Sequence, residues 1–150
     1  MKQIVALLLI FCTIALSGCS DVKAYFDNIH TEHMEAKKFV EDFLFFLGND
    51  IETAKTYLHP NFYAEKQGFD AFVEDFNNQY EVNILDGITI YDDAGGSVGG
   101  RGYYPRDNYS YSYEECIYGL IISGRRIYIS IEVRKDEYGY GIYTFEEYDD

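Results

Sequence analysis

Two side chains in this sequence could act as a general base, His59 and Asp86. His59 lies at the predicted end of a short helix, where the helix dipole would also favour a protonated imidazole as a cap. Asp86 interrupts an alternating apolar pattern, and it shares the face of Ile84 and Ile88 if that strand continues through it. A carboxylate buried there would have a raised pKa, which suits proton transfer. Two alternatives stay open: capping for His59, and a turn at the Asp-Gly pair for Asp86.

The other reactive side chains make weaker cases. His30 and His33 have a spacing that a metal site can use, but a third ligand would have to come from elsewhere, so we predict no metal and no other cofactor. Asp42, on a largely apolar helix face, is a second and weaker candidate for a desolvated carboxylate. Cys116 lies in an apolar stretch next to Glu115 and without a basic activator, which indicates an inert, buried thiol.

Tyrosine is concentrated in the second half of the chain, where 12 of the 16 fall at or after Tyr91. Tyr109, Tyr111 and Tyr113 alternate with other residues, so their rings should share one face of a strand. Such rings either stabilise the sheet through cross-strand pairs or form a surface for a protein or glycan. These three tyrosines are therefore the predicted binding residues.

The N-terminus carries a different kind of chemistry. Lys2 precedes an apolar run from Ile4 to Leu16, and the small residues that follow complete the pattern of a secretory signal. The run is about a dozen residues long, short of the roughly 20 that a spanning helix needs. Leu16-Ser17-Gly18-Cys19 resembles the lipobox of bacterial lipoproteins. The resemblance implies acyl chains such as palmitate on Cys19, with cleavage just before it; a plain secretory signal cut elsewhere is the alternative.

This interpretation sets the predicted domain organisation and location. Residues 1–18 are the signal peptide, residues 19–28 a lipidated tether, and residues 29–150 one domain. The protein would face the periplasm or the cell exterior, held in the cell envelope by its lipid. In a host with two membranes, Ser20 resembles the residue that directs lipoproteins to the outer membrane.

The charge of the mature chain limits its partners. Cleavage removes one of the 12 basic side chains and none of the 26 acidic ones, which leaves a formal charge of −15. Nucleic acid is excluded as a partner, because phosphate binding requires a cationic surface. A basic protein or a cationic ligand is compatible with this charge, as is solubility alone.

The periodicity of the sequence predicts an α+β domain, with three helices followed by four antiparallel strands. Hairpin turns are expected at residues 123–125 and 136–139, and the glycine-rich residues 94–102 are expected to form a mobile loop between strands. That segment lacks the Gly-Lys-Ser/Thr ending of a phosphate-binding loop. The predicted helices are Ile29–Leu47, Ile51–Leu58 and Phe69–Tyr80.

The order of these elements resembles the nuclear-transport-factor-2-like fold, also called cystatin-like. The likeness is carried mainly by residues 39–55, with an apolar helix, a Gly-Asn-Asp break and a second helix, and by the following His59-Pro60 pair. It implies a curved four-stranded sheet wrapped around the helices into a cone, with a pocket that could hold a small apolar ligand. The resemblance supplies no catalytic set that matches residue by residue.

Together these features predict a lipid-anchored envelope protein that binds rather than catalyses. It would act as an adaptor or inhibitor, for example an immunity-like protein that neutralises a basic toxin. The alternative is a small isomerase- or hydrolase-like enzyme with a site in the cone.

Overall fold

The computed structural model describes residues 2–62, 68–104 and 109–148. The chain separates into two compact units, one up to Met34 and one from Glu35 onward. The second unit combines helices with an antiparallel sheet, which confirms the predicted α+β class. The boundary between the two units lies within a helix.

Three α-helices precede the sheet, but the first is much longer than predicted and the second is shorter. The predicted tether, residues 19–28, is helical because it contains neither proline nor glycine to end a helix. The second helix begins after Asp50, whose side chain accepts from the backbone N–H of Thr53 at 3.2 Å. Within the described residues, no helix is long and apolar enough to cross a membrane. The helices are α1 (Lys2–Leu47), α2 (Ile51–Lys55) and α3 (Phe69–Tyr80).

Four strands form one antiparallel sheet in sequence order, as predicted. Both expected hairpin turns are present, and positive φ angles at Gly124 (79°) and Gly139 (88°) explain the glycines there. The strands are β1 (Ile88–Tyr104), β2 (Tyr109–Ile122), β3 (Arg125–Asp136) and β4 (Gly139–Glu147).

The structure corrects two predictions around β1. Ile84–Asp86 is a short 3₁₀ helix rather than strand, because the Asn83 side chain accepts from the N–H of Leu85 and Gly87 turns the chain at a φ of 96°. The glycine-rich residues 94–102, predicted as a mobile loop, belong to β1. Residues from Ser97 to Gly102 pair in register with β2.

The core lies between the helices and one face of the sheet. Alternate residues of β2 and β3 are buried on this face, and α1 contributes a stripe that includes Val40, Phe43 and Leu47. The Phe145 ring lies 6.2 Å from Phe43 and 5.3 Å from Phe72 between ring centres. This interior is therefore filled with aromatic and aliphatic side chains, whose burial drives folding.

Candidate functional site

The sheet face opposite the helices carries a group of tyrosines that we call the tyrosine face. Cys116 and Tyr118 of the same strand are buried in the core. Successive side chains of a strand point to opposite faces, so Tyr111 and Tyr113 lie on the other side of the sheet. Both rings are partly exposed, and their centres are 6.3 Å apart. The members of the tyrosine face are Tyr91, Tyr111, Tyr113, Tyr128 and Tyr143.

Two β-bulges shape the tyrosine face. In β1 the register shifts between Ile90, which pairs with Leu120 on the core side, and Asp92, which pairs with Gly119, so Tyr91 and Asp92 both lie on the tyrosine face. In β4 the register shifts so that Glu132 pairs with Thr144 and Val133 with Ile142, which leaves Tyr143 as the extra residue. The bulge keeps both Ile142 and Phe145 buried while Tyr143 joins the opposite face.

Glycines in β1 leave the space that the β2 rings occupy. Gly100 pairs with Tyr113 and Gly102 with Tyr111 across the strands. A Cβ atom on Gly100 would lie 2.8 Å from the Tyr113 ring, and one on Gly102 would collide with the Tyr111 ring. The Tyr111 and Tyr113 rings therefore lie directly over the glycines of β1. Aromatic rings that cover glycines in this way are known to stabilise the edge of a sheet.

Arg134 fixes two rings of the tyrosine face. Its guanidinium carbon lies 4.2 Å from the centre of the Tyr111 ring and 3.1 Å from that of Tyr143, and its Nε donates to Glu132 Oε1 at 2.6 Å. Burial by itself would lower the pKa of Arg134. The hydrogen bond and charge of Glu132 outweigh this, so the pKa of Arg134 is raised and the stack holds a permanent cation.

A second cluster on the tyrosine face joins Tyr91 and Tyr128. Their ring centres are 5.9 Å apart, and the Tyr128 hydroxyl donates to Asp92 Oδ2 at 3.4 Å. The hydrogen bond between the two phenols, followed by burial and by the charge of Asp92, raises the pKa of Tyr128 to about 12. Arg126 lies 5.1 Å above the Tyr91 ring. This cluster is thus held by hydrogen bonds as well as by ring packing.

His59 forms a buried pair with Asp136. The distance from Nε2 to Asp136 Oδ2 is 2.7 Å, and the side chains are 1% and 0% exposed. The N–H of Asn61 donates to Nδ1 at 3.1 Å, so the lone pair is on Nδ1 and the proton is on Nε2. A second oxygen of Asp136 accepts from the N–H of Tyr138 at 2.7 Å. Both ring nitrogens are therefore engaged within the protein.

The position of His59 depends on Gly141. The chain after α2 pairs with β4, with the N–H of His59 donating to the Ile142 carbonyl and that of Ile142 to the Tyr57 carbonyl, both at 2.8 Å. A Cβ atom on Gly141 would lie 2.7 Å from His59 Cα. This pairing ends α2 early, so the predicted cap at a helix C-terminus is wrong, since His59 lies beyond the Thr56 cap.

The structure does not bring Asp86 to His59. Asp86 is exposed in the 3₁₀ helix, where its carboxylate accepts from Asn83 Nδ2 at 3.0 Å and from the Ser123 hydroxyl at 2.6 Å. The predicted desolvation on a strand face is therefore wrong, and the alternative of a turn is confirmed. Asp42 is likewise at the surface, in an ion pair with Lys38 at 2.8 Å.

The remaining predicted residues are placed as follows. Cys116 is buried, as predicted. Tyr109 begins β2, but its side chain falls outside the described part of the structure, as does that of Cys19 in α1. Among the described residues, no three His, Cys, Asp or Glu side chains are grouped as a metal site would require. A groove of about 310 Å³ lies between α3 and the end of β4, lined in part by Phe72, Phe76 and Phe145, and neither His59 nor Asp86 lines it.

Sequence reasoning missed Asp136, Arg134 and Tyr143. Asp136 lies 77 positions from its partner His59, and no local pattern connects two residues so far apart. Alternation counted from Ile142 and from Phe145, which are both buried, gives opposite faces for Tyr143, because the bulge lies between them. The glycines at 139 and 141 were the available indication of an irregular β4.

Comparisons with protein-family models, curated proteins and solved structures found no match to this chain.

Proposed function

We propose that this chain is a lipid-anchored envelope protein that binds a basic protein partner through the tyrosine face. The observation that carries the proposal is the organisation of that face. Five partly exposed tyrosines lie on the side of the sheet that the helices leave open, and Arg134 is stacked between two of them. Tyrosine and arginine are the residue types that dominate binding energy in protein interfaces.

The rings are fixed before any partner arrives. Tyr111 and Tyr143 flank a buried cation, and Tyr91 and Tyr128 are joined through their hydroxyls. A surface held in this way loses little conformational entropy on binding, which favours affinity. The order of these aromatic rings thus supports a role in binding a partner, in addition to the stabilisation of the sheet.

The charge of the chain supports a basic partner. The full sequence has a formal charge of −14, and three carboxylates, Asp92, Glu115 and Glu132, lie beside the tyrosine face together with Arg126 and Arg134. Opposite charge accelerates association and discriminates against acidic competitors. An inhibitor or immunity-like protein that neutralises a basic toxin is a concrete form of this role, and an envelope adaptor is another.

The geometry of His59 weighs against the enzyme alternative. A general base needs a lone pair within reach of substrate. Here Nδ1 accepts from Asn61, Nε2 donates to Asp136, and the His59 side chain is 1% exposed. The interior under the helices is filled by the core. These contacts give the pair a structural role, and they favour binding at the surface. The cone shape of the nuclear-transport-factor-2-like fold remains part of the proposal.

Crosslinking in the native cells, followed by purification and mass spectrometry, tests the binding role. We expect a stoichiometric basic protein with the wild-type chain and its loss with the Tyr111→Ser, Tyr113→Ser double variant. Phe45→Ser is the matched control, because Phe45 is an exposed aromatic residue on α1, away from the tyrosine face. Failure to recover any stoichiometric partner with the wild-type chain would overturn the proposal. If the Phe45→Ser control also fails to recover the partner, the partner does not bind specifically through the tyrosine face.

A further inference from the structure

The part of α1 in the first unit carries exposed apolar side chains. Tyr25 and Phe26 are each 62% exposed and Ile29 is 40% exposed. Residues four apart lie on one side of a helix, so Tyr25 and Ile29 stand one above the other, with Phe26 beside them. Asp27 and Thr31 lie on the opposite side, where the Thr31 hydroxyl donates to the Asp27 carbonyl, whereas Glu32 borders the apolar residues and accepts from Asn28. We call Tyr25, Phe26 and Ile29 the apolar stripe.

The apolar stripe is close to the residue that resembles a lipidation site. Position 19 lies seven residues before Phe26 in the same helix, which is about two turns and about 10 Å along the axis. Positions 19, 22, 26 and 29 follow the alternating three- and four-residue spacing that keeps residues on one side of a helix. Positions 19 and 26, about two turns apart, therefore fall on the same side of the helix backbone.

We propose that the apolar stripe lies in the membrane interface and lays this segment of α1 along the bilayer surface. The inference rests on the proposed lipid anchor, because acyl chains at Cys19 would hold the stripe within about 10 Å of the lipid. Tyrosine and phenylalanine suit that depth, since aromatic rings concentrate at the boundary between headgroups and acyl chains. The polar side with Asp27 and Thr31 would then face water. The first unit would thus make a second contact with the membrane, in addition to the acyl chains.

The sequence contains no tryptophan, which allows a direct test. Phe26→Trp introduces a single fluorophore into the stripe, and Phe45→Trp introduces one at a similarly exposed position, 60%, in the second unit. Each variant is expressed from the full-length sequence and purified with the N-terminal processing and acylation that its cells give it. It is then reconstituted into phosphatidylcholine vesicles with or without brominated acyl chains. We expect emission at shorter wavelength and quenching by the brominated lipid at position 26, and neither at position 45.

Two results would overturn the inference. Emission at position 26 that matches the control and resists quenching would place the stripe in water. Emission at shorter wavelength without quenching would show that the stripe packs against protein, such as a second copy of the chain. The mass of the N-terminal peptide is measured on the same samples. Acylated Cys19 with an unquenched stripe contradicts only this inference, whereas a quenched stripe without acylation supports it and contradicts the proposed anchor.

Discussion

Removal of His59 would take a hydrogen-bond donor from a carboxylate in the protein interior. The Asp136 side chain is 0% exposed, its Oδ2 lies 2.7 Å from His59 Nε2, and its Oδ1 accepts from the N–H of Tyr138. Removing one partner of a buried hydrogen bond typically costs about 1 to 3 kcal/mol, and loss of the buried ring also leaves a cavity. We therefore expect His59→Ala to lower the free energy of unfolding by about 2 kcal/mol or more in urea denaturation.

His30→Ala is the matched control for that measurement. His30 is exposed on α1, and surface substitutions of this kind change stability by about 0.5 kcal/mol or less. If both variants unfold at the same urea concentration, the His59–Asp136 pair contributes nothing to stability and the structural role assigned to it is wrong.

The phenol pair of the tyrosine face should be visible in its titration. The hydrogen bond with Tyr91 is the largest cause that raises the pKa of Tyr128 to about 12. At pH 11 an ordinary tyrosine is about nine-tenths ionised, whereas Tyr128 should be about one-tenth ionised. Because the folded state holds this proton more tightly, its stabilising effect is complete below the unfolded pKa of 10.0 and is lost as the pH rises through the folded value.

Carbon-13 labelling of the tyrosine rings measures this titration residue by residue. The Tyr91→Phe variant removes the hydroxyl that is the main cause, so the Tyr128 resonance should titrate at a lower pH in that variant. A Tyr128 resonance that titrates with the exposed tyrosines in the wild-type protein would contradict the described phenol pair.

At the scale of elements, the link between α2 and β4 depends on one glycine. A Cβ atom at position 141 would lie 2.7 Å from His59 Cα and 2.9 Å from its N atom. These are backbone atoms, which cannot move away by changing rotamer as a side chain can. We expect Gly141→Ala to destabilise the protein by about 2 kcal/mol, the size of other overpacking changes. Chemical denaturation measures the loss, and amide hydrogen exchange at His59 and Ile142 should accelerate.

Gly68→Ala serves as the control for this element. A Cβ atom there meets nothing within 4 Å, and the φ of −67° is accessible to alanine. Gly68 is the N-cap of α3, where alanine is less favourable than glycine, so the change should stay within about 1 kcal/mol. A Gly141→Ala protein as stable as this control would mean that the segment after α2 does not approach β4 as closely as described.

The elements also show how far the sequence could predict the fold. Helix α3 and both hairpin turns were predictable, because apolar periodicity and Gly residues at turns are local information. The bulges at Tyr91 and Tyr143 were not, because they depend on which residues of the neighbouring strand must stay buried. The His59–Asp136 pair was beyond prediction for the same reason, since its partners meet only after the sheet has formed. The tyrosine face was predicted in its β2 part alone.

At the scale of the whole molecule, anchoring and recognition use different parts of the chain. The apolar run and Cys19 precede Met34 in the first unit, whereas the tyrosine face belongs to the second. Acyl chains contribute roughly 0.8 kcal/mol for each buried methylene, so the proposed anchor would be effectively permanent. The acidic second unit would then act on partners that diffuse to the membrane.

Cys19→Ser tests the anchor on the intact protein. Cells grown with a clickable palmitate analogue should label the wild-type chain, and its N-terminal mass should correspond to an acylated Cys19 without residues 1–18. The variant offers no thiol at that position, so we expect no label and retention of the full 150 residues. Cys116→Ser, at the buried cysteine of the core, should label as the wild type does. Equal labelling of the Cys19→Ser chain would move the anchor elsewhere, and an unlabelled wild-type chain cut at another position would identify a plain secretory signal instead.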